Sequence, residues 1–411
     1  MRKAWWIPVV CGAIILTVSM GARQSFGIFQ KPIAADLQVG RELWSFANAL
    51  SMLLMGVLAP FVGGVERRFG VMRTVVTGGV LYAIGMTMIG LSSEGVMLVA
   101  GSALIGVAMA AAGFGPIFAV VNRAAPPAKR SLALGITTAG GSFGQFAVVP
   151  FASILLDRLG DWHSTILILT AVSAIMIPLA FGLREDRPAA AAAGGTVLQS
   201  AREALDEAFA TRGFWLLTIS YFVCGFHVAF VGLHLPAYIS DKAVSLMVLG
   251  RQISPGELGG WAIALVGLFN IVGAVLWGWL GGRFQRKDML ALLYSLRALT
   301  FIVFLLLPLS AASVLLFAAA LGFLWLGTVP LTSGLVAYLF GPTYMSMLSG
   351  IVFFSHQIGS FVGGWGGGRL YDLQGNYDLM WWIAVGLGVA AALLSWPIRE
   401  TPVPRLAARL A

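Results

Sequence analysis

Two stretches of this 411-residue chain, 215 positions apart, repeat one another. Pro127-Ala128-Lys129-Arg130-Ser131-Leu132-Ala133-Leu134-Gly135-Ile136 lies over Pro342-Thr343-Tyr344-Met345-Ser346-Met347-Leu348-Ser349-Gly350-Ile351, with Pro, Ser, Gly and Ile coincident. The register persists: Glu42 falls on Glu257, Ala49-Leu50 on Ala264-Leu265, Gly63 on Gly278, Arg68-Phe69 on Arg283-Phe284, Gly144 on Gly359 and Asp157 on Asp372. A fixed offset through loops and apolar segments alike means a duplicated unit of roughly half the chain, the plan of membrane carriers with parallel repeats.

Composition supports a bilayer as the solvent. Apolar residues make up 59% and charged residues 10%, against about 25% charged in a soluble domain. Spanning helices take about 20 mostly apolar residues each. Twelve such runs can be read: 5–29, 43–64, 73–92, 95–121, 131–156, 163–183, 213–239, 259–281, 288–308, 312–337, 345–370 and 378–398. The expectation is an all-α membrane protein of twelve helices in two six-helix bundles, 1–187 and 213–411, joined by a linker, 188–212.

Charge placement sets the orientation. Of 26 Lys and Arg, eighteen sit at the termini or in even-numbered loops and six in odd-numbered ones. The positive-inside rule therefore puts both termini in the cytoplasm. The net charge of +9 is then a topology signal, and no basic run carries the aromatics or folded module that nucleic-acid binding needs. Cys11 and Cys224 fall inside apolar runs and indicate packing, not a disulfide framework. Arg2-Lys3 before an apolar run reads as the start of an uncleaved first helix. In the linker, Pro188-Ala189-Ala190-Ala191-Ala192-Ala193-Gly194-Gly195 is low complexity, and Thr196 with Gln199 offers a capping box to a short amphipathic helix on the inner surface.

The other two basic residues, Arg23 and Arg297, lie inside spans 1 and 9, where a charge costs on the order of 3 kcal/mol unless it finds water or a partner. No Asp or Glu shares that depth; Glu42, Glu94, Asp157, Glu257, Asp288, Asp372 and Asp378 all stand at span ends. Arg23 is read as facing a hydrated cavity, its planar fork of donors suited to a carboxylate; the alternatives are snorkelling to the outer interface or holding backbone carbonyls. Arg297 is read as a structural brace. His227 and His234 share a face of span 7, and His356 stands beside Gln357 in span 11. Each histidine serves equally as an interhelical hydrogen-bonding residue or a substrate contact, and these are the groups near mid-membrane that titrate close to neutral pH. Cys224 and His227 have metal-ligand spacing but no second cluster, so no metal or cofactor is expected. Gly140 and Gly144, and Gly359 and Gly363, have the small-residue spacing of close helix contact, which two rocking bundles also need.

The loop between spans 2 and 3, Gly63-Gly64-Val65-Glu66-Arg67-Arg68-Phe69-Gly70-Val71-Met72-Arg73, resembles the Gly-rich basic loop of the major facilitator superfamily. The family carries an Asp where this chain has Arg67, and the repeat copy has Gly282 there. By resemblance Arg67, Arg68 and Arg283 are gating-loop residues, with Glu66 the neighbouring acid. The start of span 5, Lys129-Arg130-Ser131-Leu132-Ala133-Leu134-Gly135-Ile136-Thr137-Thr138-Ala139-Gly140 with Gly144 following, resembles a signature of monocarboxylate transporters. That family's acid-Gly-Trp motif in span 1 is absent, its span 8 Asp and Arg fall on Asn270 and Ala274, and its span 1 Lys falls on Arg23 or Gln24.

The resemblance implies a monomeric multi-pass carrier of a bacterial inner (plasma) membrane, moving a small organic anion such as lactate, pyruvate, oxalate or formate. The reading is a secondary transporter working by alternating access, with Arg23 holding the carboxylate and Gln24, Gln145, His227, Asn270, His356 and Gln357 lining the cavity. If protons are coupled, His356 is the preferred carrier and His227 the second. The alternative is an exporter of larger amphipathic compounds, favoured by the aromatic content and the missing span 8 Arg. An enzyme would need a nucleophile and base at helical spacing or a metal cluster, and a channel suits duplicated halves around one buried cation poorly.

Overall fold

The computed structural model describes residues 5–126, 129–184, 199–248, 250–341 and 343–406. Pro127, Ala128 and Pro342 of the repeat, and linker residues 188–198 with Thr196, lie outside the described residues. Ahead of the linker come α1 (Trp6–Gln24), a 3-10 turn (Ser25–Phe29), α2 (Gln30–Asp36), α3 (Arg41–Phe69), α4 (Val71–Gly90), α5 (Gly95–Ala112), α6 (Phe114–Ala124), α7 (Arg130–Leu159), α8 (Trp162–Ser173) and α9 (Met176–Ala180). The linker holds α10 (Ala201–Ala210). Beyond it are α11 (Arg212–Asp241), a hairpin of β1 (Leu246–Val248) and β2 (Arg251–Ile253), α12 (Pro255–Arg283), α13 (Arg286–Leu306), α14 (Ala311–Phe323), α15 (Thr328–Phe340), α16 (Met345–Gln374) and α17 (Asp378–Ser395).

Among the described residues, eleven helical segments are long and apolar enough to cross a membrane, one fewer than the runs read from sequence. The odd one is α16, which has 30 residues but dilutes its apolar content with Ser355, His356, Gln357, Ser360 and a cluster of glycines. Four segments, Trp6–Asp36, Gly95–Ala124, Trp162–Leu183 and Ala311–Phe340, each contain a break. The capping box of α10 is Ser200 with Glu203, each side chain meeting the other's backbone N–H. Sequence had offered Thr196 with Gln199.

The duplication is visible in packing. Gly140 and Gly144 of α7 lie against the backbone of Ala13 and Thr17 in α1, while Gly359 and Gly363 of α16 lie against Phe222 and Phe226 in α11. A Cβ at Gly144 would strike Thr17 O, and one at Gly359 would strike Phe222 O. Thr17 Oγ1 also donates to Gly140 O at 2.9 Å, and Ser360 Oγ to Gly225 O at 3.2 Å. Such backbone-to-backbone approach supplies dispersion contact where lipid offers no hydrophobic drive.

These contacts pair Thr17 with Phe222, a spacing of 205, whereas Gly144 and Gly359 keep 215. The difference is the β1–β2 hairpin, which follows α11 and has no counterpart after α2 among the described residues; it pairs Leu246 with Ile253 and Val248 with Arg251. Two faces of the bundle can be named from this: a hairpin face, where α11 and α16 end and α3 and α12 begin, and a linker face beside α10.

The halves before and after the linker meet along α3 with α16 and along α7 with α12. The seam hydrogen bonds run from mid-helix to the hairpin face. Toward the linker face the same helices present exposed apolar side chains, Phe61 (68%), Leu132 (59%) and Val275 (72%).

Candidate functional site

Arg23 stands near the middle of the 31-residue segment Trp6–Asp36, two residues before the helix tightens into its 3-10 turn. It is half-buried, and its Nε is buried with no hydrogen-bond partner. The titratable neighbour is Tyr82, whose hydroxyl donates to Ser19 O at 3.0 Å. The acids of the described spanning segments stand at or near their ends, so the guanidinium keeps charge and donors for something else. Gln24, next in sequence, places Oε1 beside Gly232 of α11 across the seam.

Three of the other residues expected to line a cavity are occupied as staples between the halves. Gln145 Nε2 donates to Ile263 O at 3.2 Å. Asn270 Nδ2 donates to Ser142 Oγ at 2.9 Å. Gln357 Nε2 donates to Met52 O at 3.0 Å, while its Oε1 meets His356 Nδ1 at 2.9 Å. His356 is 8% exposed, stacked on Phe353 and tilted on Tyr221. His227 is turned away from the seam: its Nε2 meets Ala384 O of α17 at 2.8 Å and its ring lies on Phe301 of α13. Cys224, three residues earlier, meets Thr328 Oγ1 at 3.1 Å instead. The structure therefore leaves Arg23 without a hydrogen bond or ion pair among the described residues, brings His356 and Gln357 together, and sends His227 into the packing behind them.

Arg297 is fully buried, and its Nη2 donates to Leu324 O and, at 2.8 Å, to Trp325 O. Those carbonyls are released where α14 breaks before α15. Asn270 Oδ1 accepts from the Leu326 N–H at 3.0 Å and Trp277 Nε1 donates to Phe323 O at 3.2 Å, so three side chains satisfy one unwound turn. Backbone freed inside a membrane requires such partners. Composition gives no sign of a break, so Asn270's second bond was not readable from sequence.

At the hairpin face the seam is closed by charge. Arg41 makes a two-pronged ion pair with Asp241 at 2.6 and 2.8 Å, and Lys31 joins Asp241 at 3.0 Å. Asp372, at the end of α16, accepts from the backbone N–H groups of Arg41 and Glu42 at 2.9 and 2.8 Å, capping α3 from the other half. Glu42 in turn pairs with Arg369 at 2.8 Å and accepts from Trp365 Nε1 at 3.0 Å. Beneath this layer Gln30, Ser45, His234 and Tyr377 form a buried polar knot. Asp241, Gln30 and Tyr377 were missed from sequence; the signal available was acids and bases concentrated at the ends of spans 1, 2, 7 and 11. Of the gating-loop residues at the linker face, Arg68 lies over Phe69 and Arg283 over Trp279, each on its own helix.

The model of the Major Facilitator Superfamily matches residues 12–364 and 243–410. The chain belongs to that superfamily. Rat monocarboxylate transporter 13 is 25% identical over 390 residues, covering 92% of this chain and 85% of its own length. The oxalate:formate antiporter of Oxalobacter formigenes is 23% identical over 366 residues, covering 87% and 83%. Among solved structures, a bacterial homologue of the human lysosomal transporter Spinster, described as inward-facing and unoccupied, superposes with a TM-score of 0.79 at 16% identity, covering 98% of this chain and all of the other. The major facilitator fold is thereby shown. The protein is a multi-pass membrane transporter, not an enzyme. Among the described residues no group of three or more His, Cys, Asp or Glu is placed to hold a metal ion.

Proposed function

We propose that the protein is a secondary transporter of a small monocarboxylate, moving it by alternating access between the bundles before and after the linker. The observation that carries this is Arg23: a guanidinium inside a span that, unlike the backbone-bonded Arg297, makes no hydrogen bond or ion pair among the described residues and has its Nε buried. Its fork of donors matches a carboxylate. The names of the two relatives, a monocarboxylate transporter and an oxalate:formate antiporter, support the same substrate class. With the basic loops placed in the cytoplasm, α16 counted as the twelfth span and the linker face inward, the hairpin-face ion pairs close the seam on the outer side. Gln24 completes the anion site from the same segment. Gln145, Asn270 and Gln357 hold the seam here and reach substrate only when their present bonds are exchanged in the outward-open state. His356, hydrogen-bonded to Gln357, is the group through which protons couple to the anion.

Uptake of labelled lactate, pyruvate and oxalate into proteoliposomes, with and without a pH gradient, tests the reading. Arg23→Ala is expected to abolish uptake of the transported anion in a folded protein, and Arg23→Lys to retain a weakened response because an ammonium lacks the planar fork. Undiminished uptake by Arg23→Ala removes the proposal. Transport of larger amphipathic compounds in place of the small anions replaces it with the exporter reading.

A further inference from the structure

The polar knot under the hairpin-face ion pairs is centred on His234. The ring is fully buried, and Nε2 lies 2.8 Å from Gly364 O, so Nε2 carries hydrogen and Nδ1 is the bare nitrogen. Nδ1 receives the Gln30 amide at 3.2 Å and lies 3.3 Å from the Tyr377 hydroxyl. Each of those groups is committed elsewhere. Gln30 Nε2 also donates to Ser45 Oγ at 2.9 Å, Tyr377 OH donates to Gln30 Oε1 at 3.3 Å, and the Tyr377 oxygen accepts from Arg41 Nη1 at 3.0 Å. Gly367 is what admits the ring: a Cβ there would overlap His234 Nε2.

The knot joins both halves, since Gln30, Arg41 and Ser45 precede the linker and His234, Gly364 and Tyr377 follow it. A second ring proton would put an N–H at Nδ1, where the closed arrangement presents the NH2 of Gln30 and a hydroxyl already bonded to a guanidinium. The charged groups around it do not offset this. From α2 comes Lys31 and from α3 Arg41, both already on Asp241 at the end of His234's own helix. From α16, Asp372 is taken up by the α3 backbone amides, and the remaining pair at the rim, Glu42 with Arg369, neutralises itself. Ahead of α17 the facing group is Tyr377.

We propose that His234 is a proton-binding switch of the hairpin-face gate: the neutral imidazole completes the closed seam, and the imidazolium is accommodated only when the halves separate there and water reaches Nδ1. Proton binding and gate opening then favour one another, as linkage requires. The inference rests on alternating access but not on the identity of the anion.

Spin labels at Ala35 and Gln374, both exposed beside the gate, in a background of Cys11→Ser and Cys224→Ser, report the gate; labels at Phe69 and Phe284 report the linker face. In lipid nanodiscs without substrate, lowering the pH from 8 to 5 is expected to raise the open-to-closed ratio at the gate by up to about tenfold per pH unit, the slope of one linked proton. His234→Gln, which offers an N–H and an oxygen acceptor without a charge, is expected to hold one distribution at both pH values while folding normally. His234→Arg is expected to stay open at both. A wild-type gate distance that ignores pH, or a pH response kept by His234→Gln, overturns the switch. If substrate moves neither label pair in any variant, alternating access fails instead, which separates the two readings.

Discussion

The two seams between the halves are related by the duplication yet are built from different chemistry. In the α3/α16 seam, Asp372 accepts from two backbone amides of α3, with Arg41, Asp241, Lys31, Glu42 and Arg369 packed around it. In the α7/α12 seam the matching residue, Asp157, accepts a single hydroxyl, that of Ser254, at 2.9 Å, and the other bonds across that seam among the described residues are neutral, Ser153 to Gly256 O, Gln145 to Ile263 O and Asn270 to Ser142, while the Arg251–Glu257 ion pair stays within one half. The carboxylate at this repeat position thus caps the facing helix directly across one seam and only through the Ser254 hydroxyl across the other. A charged clasp with two-pronged geometry is strong when dry and is lost once water enters. Neutral bonds of about 1 kcal/mol each can be exchanged one by one as helices slide. The asymmetry assigns opening to the α3/α16 side and pivoting to the α7/α12 side.

The largest effect should come from breaking the clasp. Arg41→Ala leaves Asp241, 21% exposed at its side chain, with Lys31 as its remaining ion-pair partner, and is expected to cost the closed state on the order of 2 kcal/mol. The Ala35/Gln374 distance distribution should move to its longer component, and Arg41→Ala/Asp241→Ala should recover part of the loss. If Arg41→Ala leaves that distribution unchanged, the clasp is ornamental and the two seams are equivalent in energy.

Next is Asn270→Ala, which strands the Leu326 N–H and removes the Ser142 bond. We expect about 1–2 kcal/mol, seen as a lower melting temperature in detergent with the gate distance unaltered. Ser254→Ala should be smaller, about 1 kcal/mol, because it removes the cap on the Glu257 N–H as well as the Asp157 contact. A clear gate opening in either variant would contradict the assignment of the pivot. The smallest effect belongs to the rim: Glu42→Gln should cost about 0.5 kcal/mol, vanishing near 1 M salt, since Arg369 is 52% exposed. Melting curves at two salt concentrations measure it.

The duplication, the apolar runs and the isolation of Arg23 were all legible in sequence, because each is written in residue type and spacing. The broken segments were not. Unwinding at Leu324–Leu326 leaves carbonyls and an N–H whose partners, Arg297, Trp277 and Asn270, come from two other helices. Hydropathy registers none of them as a set. The same holds for Gln145 and Gln357, whose polarity suggested a wet cavity and whose bonds in this conformation go to backbone oxygens across the seam. A polar residue in a span signals that something must be satisfied, but whether by substrate or by backbone depends on helix placement, which a single sequence does not encode. The run that became α16 was found by length and fell short in hydropathy for the same reason: the polar groups it brings to the seam are also what make it less apolar.

The β1–β2 hairpin has a use beyond accounting for the change of register. It is a short, self-paired projection on one face only, turning at Gly250 with φ +78°, and Met247 beside the turn is 65% exposed. A loop tip of this kind tolerates inserted sequence. An epitope or protease site placed at Gly250 would therefore act as a compass: cut in intact cells, it would point the hairpin to the outside world; cut only in inverted vesicles, it would turn the whole molecule over.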